Sequence, residues 1–165
     1  MRGRSEARAL GKIQIGGILQ FRDLALIQVL GLPQSAAVAT LLRALGDRGI
    51  PAQAVVQCQE SGGRYALAFT VAEVHREEAR AIVEELARRG GACEVTVRSP
   101  VGMVAVFGPH FRDRPAIAGT MFSALVAAEV EVLAISTSIS TVAGVVVAEE
   151  MDRAVAILRA TFELP

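Results

Sequence analysis

Gly62-Gly-Arg-Tyr-Ala-Leu-Ala-Phe-Thr-Val71 opens on a tight-turn pair and runs into the alternation Tyr65, Leu67, Phe69, Val71. A period of two with one apolar side is the mark of a strand with one buried face. Upstream, residues 52–57 form another short β-branched run, so the glycine pair joins two strands. Downstream, Ala79, Ile82, Val83 and Leu86 recur at i, i+3, i+4 and i+7, the stripe of a helix lying on a sheet. Gly90-Gly91 stops that helix, as Gly49 stops the one before it.

Further outward the pattern repeats. Helical stripes fall at Val38, Leu41, Leu42, Leu45, again at Ala118, Met121, Phe122, Leu125, and finally at Ala154, Ile157, Leu158 with Thr161 and Phe162 closing it. Strand-like runs fall at residues 25–30, 94–97, 101–107, 131–136 and 141–147. The first half therefore reads strand, helix, strand, strand, helix, strand. The second begins identically but runs out, because only Glu163, Leu164 and Pro165 follow its last helix. A spare strand-like run at 13–21 is expected to fill the empty slot.

This counting predicts an α+β protein of two tandem ferredoxin-like βαββαβ units, each an antiparallel sheet with helices on one face. The first unit would span 24–98 and be inserted in the second, made of 13–23 plus 99–165. Cutting near Ser99-Pro100 would then not separate them. Residues 1–12 read as a disordered lead-in: the basic start is followed by no apolar core and cleavage site. Exposed edges and a bare sheet face predict a homodimer.

Composition narrows the function classes. Of 165 residues, 52% are hydrophobic, with no Trp and six Phe, so the core is aliphatic. Lys plus Arg and Asp plus Glu are 17 each; with no basic stripe carrying interleaved aromatics, nucleic acid is not an expected partner. No apolar run reaches the roughly 18 residues of a membrane span. Cys58 and Cys93 have no second Cys or His at ligand spacing, so they read as reduced thiols of a cytoplasmic protein. His75 and His110 read as surface residues, and Glu84-Glu85 before Arg88-Arg89 as an exposed helix face. No phosphate-cradling loop, metal cluster or activated nucleophile is present in the sequence, so neither a cofactor nor catalysis by this chain is expected.

Several stretches resemble one family. Ala134-Ile-Ser-Thr-Ser138, Pro115-Ala-Ile-Ala-Gly-Thr-Met-Phe-Ser-Ala-Leu125 and Phe162-Glu-Leu164 are similar to the second ACT unit of bacterial aspartate kinases. Gly17-Ile-Leu-Gln-Phe-Arg-Asp-Leu-Ala-Leu-Ile-Gln-Val-Leu-Gly-Leu-Pro33, Arg43-Ala-Leu-Gly-Asp-Arg-Gly-Ile50, Ala68-Phe-Thr-Val71 and Glu84-Glu-Leu86 resemble the first. The likeness runs from about residue 14 to 165, and the family's kinase domain has no counterpart here. It implies the regulatory part only: a module binding lysine or threonine at ACT interfaces and partnering a separate aspartate kinase catalytic subunit.

The resemblance also points to site residues. A helix N-terminus after the first strand of each unit offers unpaired N–H groups to a carboxylate. The loop that resembles the family's Pro-Asp-x-Pro-Gly is here Leu32-Pro33-Gln34-Ser35-Ala36-Ala37, with Gln34 in the acidic position. Gln57-Cys58 stands where the family has Gln-Asn. In the second unit Arg112-Asp113-Arg114-Pro115-Ala116 keeps Pro but loses Gly, Glu131 replaces Asn, Ile139 replaces the Glu after Ser-Thr-Ser, and Ser136 and Thr137 belong to a hydroxyl-rich wall.

Simpler roles stand beside these. Ser35 and Asp113 read as helix N-caps, Arg112 and Arg114 as solvated charges, and residues 136–141 as a strand end using local hydrogen bonds. Three functions stay open: an amino-acid-sensing subunit, a structural ACT dimerisation module with degenerate effector sites, and a changed specificity in which Glu131 favours a basic ligand.

Overall fold

The computed structural model of the chain describes residues 12–91, 94–109, 111 and 116–165. Cys93, His110 and Arg112 to Pro115 lie outside them, as do residues 1–11 of the expected lead-in. Six strands are described: β1 (Gly17–Leu32), β2 (Gln53–Gln59), β3 (Tyr65–Ala72), β4 (Glu94–Phe107), β5 (Val132–Thr137) and β6 (Thr141–Val147). With them are four α-helices: α1 (Ser35–Asp47), α2 (Arg76–Gly90), α3 (Ala116–Ala127) and α4 (Met151–Thr161). The strands form one sheet in the order β2-β3-β1-β4-β6-β5. Every neighbouring pair in it is antiparallel.

Two sequence-level breaks turn out to be continuous. Residues 17–21 of the first run and the run at 25–30 belong to one strand, β1, and the runs at 94–97 and 101–107 to another, β4. The polar and proline residues between them are absorbed by bulges: the β1–β4 register shifts between Phe21 and Leu24 and again between Leu24 and Leu26. Asp23 takes a left-handed φ of 55° there. A bulge tolerates an extra residue by bending the strand rather than ending it, which is why Arg22-Asp23 and Ser99-Pro100 look like loops in the sequence alone.

Each half thus has four strand segments and two helices. Around β1 the first half is ordered β2, β3, the later part of β1, and the first part of β4. The second half is ordered β5, β6, the later part of β4, and Gly17 to Phe21, which pair with Phe107 back to Met103. Beyond that strand, the Ile15 N–H donates to Glu163 O at 3.0 Å and the Glu163 N–H to Ile13 O at 3.0 Å. The segment after α4 is thereby tied to the segment just before β1.

The helical stripes bury as their spacing requires. Val38, Leu41 and Leu45 of α1 and Ala79 and Val83 of α2 pack on Ile27, Val29, Leu67, Phe69 and Val71. Ile117, Met121, Leu125, Ala154 and Leu158 do the same over Val104, Val106, Val142 and Val146. The alternate residues of the same strands form a third cluster, Leu24, Leu26, Val101, Met103, Ala105, Ala143 and Val145, on the helix-free face. Ala54 of β2 and Leu133 of β5 pack against this cluster, and the two edge strands come into contact. The bulged sheet is therefore curled so that its bare faces close on each other, burying what would otherwise be an exposed apolar surface. Thr70, fully buried, satisfies its hydroxyl by donating to Gln53 O at 3.2 Å.

Candidate functional site

The first-half loop begins where β1 ends. Leu32 pairs with Tyr65, and Tyr65 with Gln59, so Pro33-Gln34 and the end of β2 lie at the same end of the sheet. Gln57 and Cys58 sit in that part of β2, paired with Leu67 and Ala66, and both are exposed. Gln34, Ser35 and Ala36 are exposed and Ala37 is half-buried.

The cap differs from expectation. Ser35 is the first residue of α1, and Gln34 is the N-cap, with extended backbone (φ −160°, ψ 158°) and no side-chain cap hydrogen bond. A capping hydroxyl must sit on the extended residue before the helix to reach the next amides, and Ser35 is already helical. The Ala37 N–H donates instead to the Gln34 carbonyl at 3.0 Å. With no acidic residue in the first turn of α1, its N-terminal amides retain their positive field for a carboxylate.

The equivalent end of the second half gathers other residues. Phe107 pairs with both Gly17 and Thr141, and Thr137 with Val142. Ser136, half-buried, and Thr137, exposed, line a cavity of about 270 Å³ whose apolar wall includes Leu19, Phe21, Met103 and Ala105. The turn beyond them is held locally: Ser138 N–H donates to Thr141 O at 2.8 Å and Gly108 N–H to Ser140 O at 3.0 Å. Ala116 is exposed at the start of α3, while Arg112, Asp113 and Pro115 lie outside the described residues.

Glu131 joins neither group. It precedes the edge strand β5, at the far end of that strand from Ser136 and Thr137. There its carboxylate lies 3.6 Å from the Arg98 guanidinium, and its N–H donates to Glu150 at 2.8 Å. Glu150 also accepts from Arg153 at 2.6 Å. The Glu131 carboxylate thus already faces a cation of its own chain, and the pair is exposed enough to be worth less than about 1 kcal/mol.

A surface hollow of about 410 Å³ between α1 and α2 contains none of the expected site residues. Its floor is Ala44, Ala81, Ile82 and Leu86, and its rim is ion-paired, Arg48 to Glu78 at 3.3 Å and Arg89 to Glu85 at 2.7 Å. Glu85 also pairs with Arg88, as the helix-face reading of Glu84-Glu85 expects. Glu84 holds the neighbouring Arg80 guanidinium above its ordinary pKa, chiefly through their hydrogen bond. Among the described residues no three His, Cys, Asp or Glu side chains converge as metal ligands.

Two residues at the first-half loop escape sequence reasoning. Glu60 accepts the Gly31 N–H at 3.1 Å, and the Arg64 Nε–H donates to the Gly31 carbonyl at 2.6 Å. They flank Gly62-Gly63 and read as ordinary turn charges; nothing in the sequence ties them to a glycine about thirty positions earlier.

Residues 104–162 match the ACT domain family. Over 151 residues it is 30% identical to an aspartate kinase of Pseudomonas putida, covering 91% of this chain and 37% of that protein. The chain thus spans somewhat over a third of the length of the curated relatives it matches. Among solved structures, the ligand-free regulatory subunit of aspartate kinase from Thermus thermophilus superposes with a TM-score of 0.81 at 26% identity. That match covers 90% of this chain and 99% of the subunit. The regulatory subunit from Thermus flavus gives 0.82 at 25% identity, with 91% and 99% covered. The chain therefore has the ACT regulatory fold, and its similarity to aspartate kinases extends over nearly all its described length.

Proposed function

We propose that this chain is a non-catalytic, amino-acid-sensing regulatory module of an aspartate kinase, acting in the cytoplasm. The observation that carries the reading is the match, over 90% of this chain and 99% of the other, with a regulatory subunit of aspartate kinase. We assign it two ACT units, 24–98 inserted in 13–23 plus 99–165. The pairing of Gly17 to Phe21 beside the later part of β4 supports this division. The effector is lysine or threonine, with its carboxylate at the N-terminus of α1, near Gln34, Ser35, Ala36 and Ala37, and with Gln57 and Cys58 beside it. In the second unit Ser136, Thr137 and Ala116 take the corresponding place, with Arg112, Asp113 and Pro115 assigned to it by the family resemblance alone. Glu131, engaged by Arg98, sets selectivity from a distance.

Exposed Val55 on β2 and Ile135 on β5, at 41% and 46%, favour a homodimer. The kinase activity belongs to a separate catalytic subunit. A second reading, a structural dimerisation module, is favoured by the uncharged Gln34: a missing charge-assisted contact weakens binding by about 1.5–3 kcal/mol.

Isothermal titration with lysine and threonine, each alone and then together, separates the readings. Saturable binding of either supports the sensor, and its stoichiometry per dimer counts the sites. A dimer by light scattering that takes up neither amino acid supports the structural module.

A further inference from the structure

The β1–β3 register shifts between Val29 and Leu32, so Gly31 lies within a bulge. Its φ is 80°, a conformation that a residue with a Cβ adopts only under strain. Instead of regular pairing with β3, the Gly31 peptide is gripped by side chains. Glu60 takes its N–H at 3.1 Å, and Arg64 gives its Nε–H to the carbonyl at 2.6 Å. Both side chains arise at the β2–β3 turn, itself closed by the Glu60 N–H to Arg64 O bond at 2.8 Å. A charged partner on each side makes these bonds stronger than neutral ones. Two residues beyond Gly31 the loop begins with Pro33, whose ring lies near Gly90 at the end of α2. At the matching turn of the second half, the Gly108 N–H donates to the backbone carbonyl of Ser140, and among the described residues no charged side chain is seen to grip it.

We propose that Glu60 and Arg64 are positioning residues of the first-unit site, fixing the Gly31 peptide and with it the Pro33–Ala37 loop. This rests on the reading of that loop as an effector site. The β2–β3 hairpin, which also carries Gln57 and Cys58, is thereby locked to the loop. Loop and edge strand form one rigid wall, and an amino acid meets amides already in place.

The test uses the full chain with Glu60→Ala and Arg64→Ala, and the conservative Glu60→Gln and Arg64→Lys beside them. Amide hydrogen exchange in the ligand-free protein is read over residues 31–38 and over β6 and α4. The alanine variants are expected to exchange about tenfold or more faster in the loop only, and the conservative pair to restore most of the protection. Loop exchange equal to the parent, or acceleration spread equally to β6 and α4, overturns the proposal.

Lysine and threonine titrations on the same variants separate this from the sensor reading. A parent that binds one amino acid, with alanine variants about tenfold weaker at unchanged melting temperature, supports both. Equal affinity with and without the grip overturns the positioning role. A parent that binds neither sinks the sensor reading, while the exchange data still decide whether the grip holds the loop.

Discussion

The two halves of this chain share a plan and differ in how they hold their corners. Both helices that follow a first strand end the same way. Ile50 N–H returns to Leu45 O at 3.0 Å, and Val130 N–H returns to Leu125 O at 2.9 Å. Yet the left-handed residue is Gly49 in the first (φ 71°) and Glu129 in the second (φ 57°). At the other turn the first half uses a long hairpin with charged side chains on Gly31, and the second a short turn with a backbone bond to Gly108. The junction of the second helix differs as well. Ser99 donates to Glu73 at 2.5 Å and Arg76 pairs with Glu73. In the second half the corresponding first helical residue is the buried Met151, pressed onto Gly102. Repetition thus conserves the apolar layer and leaves the polar joints free to diverge, because burial dictates the first and only local geometry the second.

The sharpest way to break the comparison is to empty one core at a time. Phe69 and Phe162 are buried in the first- and second-half cores respectively. Replacing either by Ala is expected to cost about 3–5 kcal/mol. Since β1 and β4 serve both halves, each variant should lower one common transition. Tyr65, the chain's single Tyr with no Trp present, reports on the first half by fluorescence, and far-UV dichroism reports on the whole. Coincident urea curves for Phe162→Ala support one cooperative unit; a Tyr65 curve left unmoved would divide the halves.

A smaller effect tests the divergent junctions. A Cβ at Gly102 would fall 2.4 Å from Met151 Sδ and 3.1 Å from the Phe21 carbonyl oxygen. Gly102→Ala should therefore cost about 1–3 kcal/mol and be partly relieved by trimming Met151 to Ala. By strand register, Ala25 is the first-half counterpart, since it pairs with Val71 as Gly102 pairs with Val146. Ala25→Gly should cost about 1 kcal/mol or less. Equal losses at the two sites, read by thermal melts, would mean that Met151 yields freely.

The smallest effect concerns the helix ends. No atom lies within 4 Å of a Cβ built at Gly49, so Gly49→Ala pays only for its backbone, about 1 kcal/mol. Glu129→Gly should move the other way, gaining a few tenths to about 1 kcal/mol. Opposite signs in the two melts would sharpen the equivalence of the two ends, and a loss in both would contradict it.

How far the sequence reaches can be judged from particular residues. The Tyr65–Val71 alternation names β3, and the stripes beginning at Val38, Ala79, Ala118 and Ala154 name the four described helices. The first-half site was partly legible too: the sequence puts Gln34 to Ala37 and Gln57-Cys58 beside turns, and the register brings them to one sheet end. Glu131 was placed with the second-half group by resemblance, but it stands at the other end of β5 beside Arg98. Glu60 and Arg64 were invisible, because a turn charge looks the same whether it faces water or a backbone peptide.

What the sequence determined by itself is the layered plan, since period-two and period-3.6 burial are local and every side chain along an element registers them. Only the tertiary structure decided that Arg22-Asp23 and Ser99-Pro100 are bulges within β1 and β4, that the sheet curls until β2 meets β5, and that Gly31 is held from the β2–β3 turn. Each of those depends on contacts between residues far apart in the chain, and no local periodicity encodes such a contact.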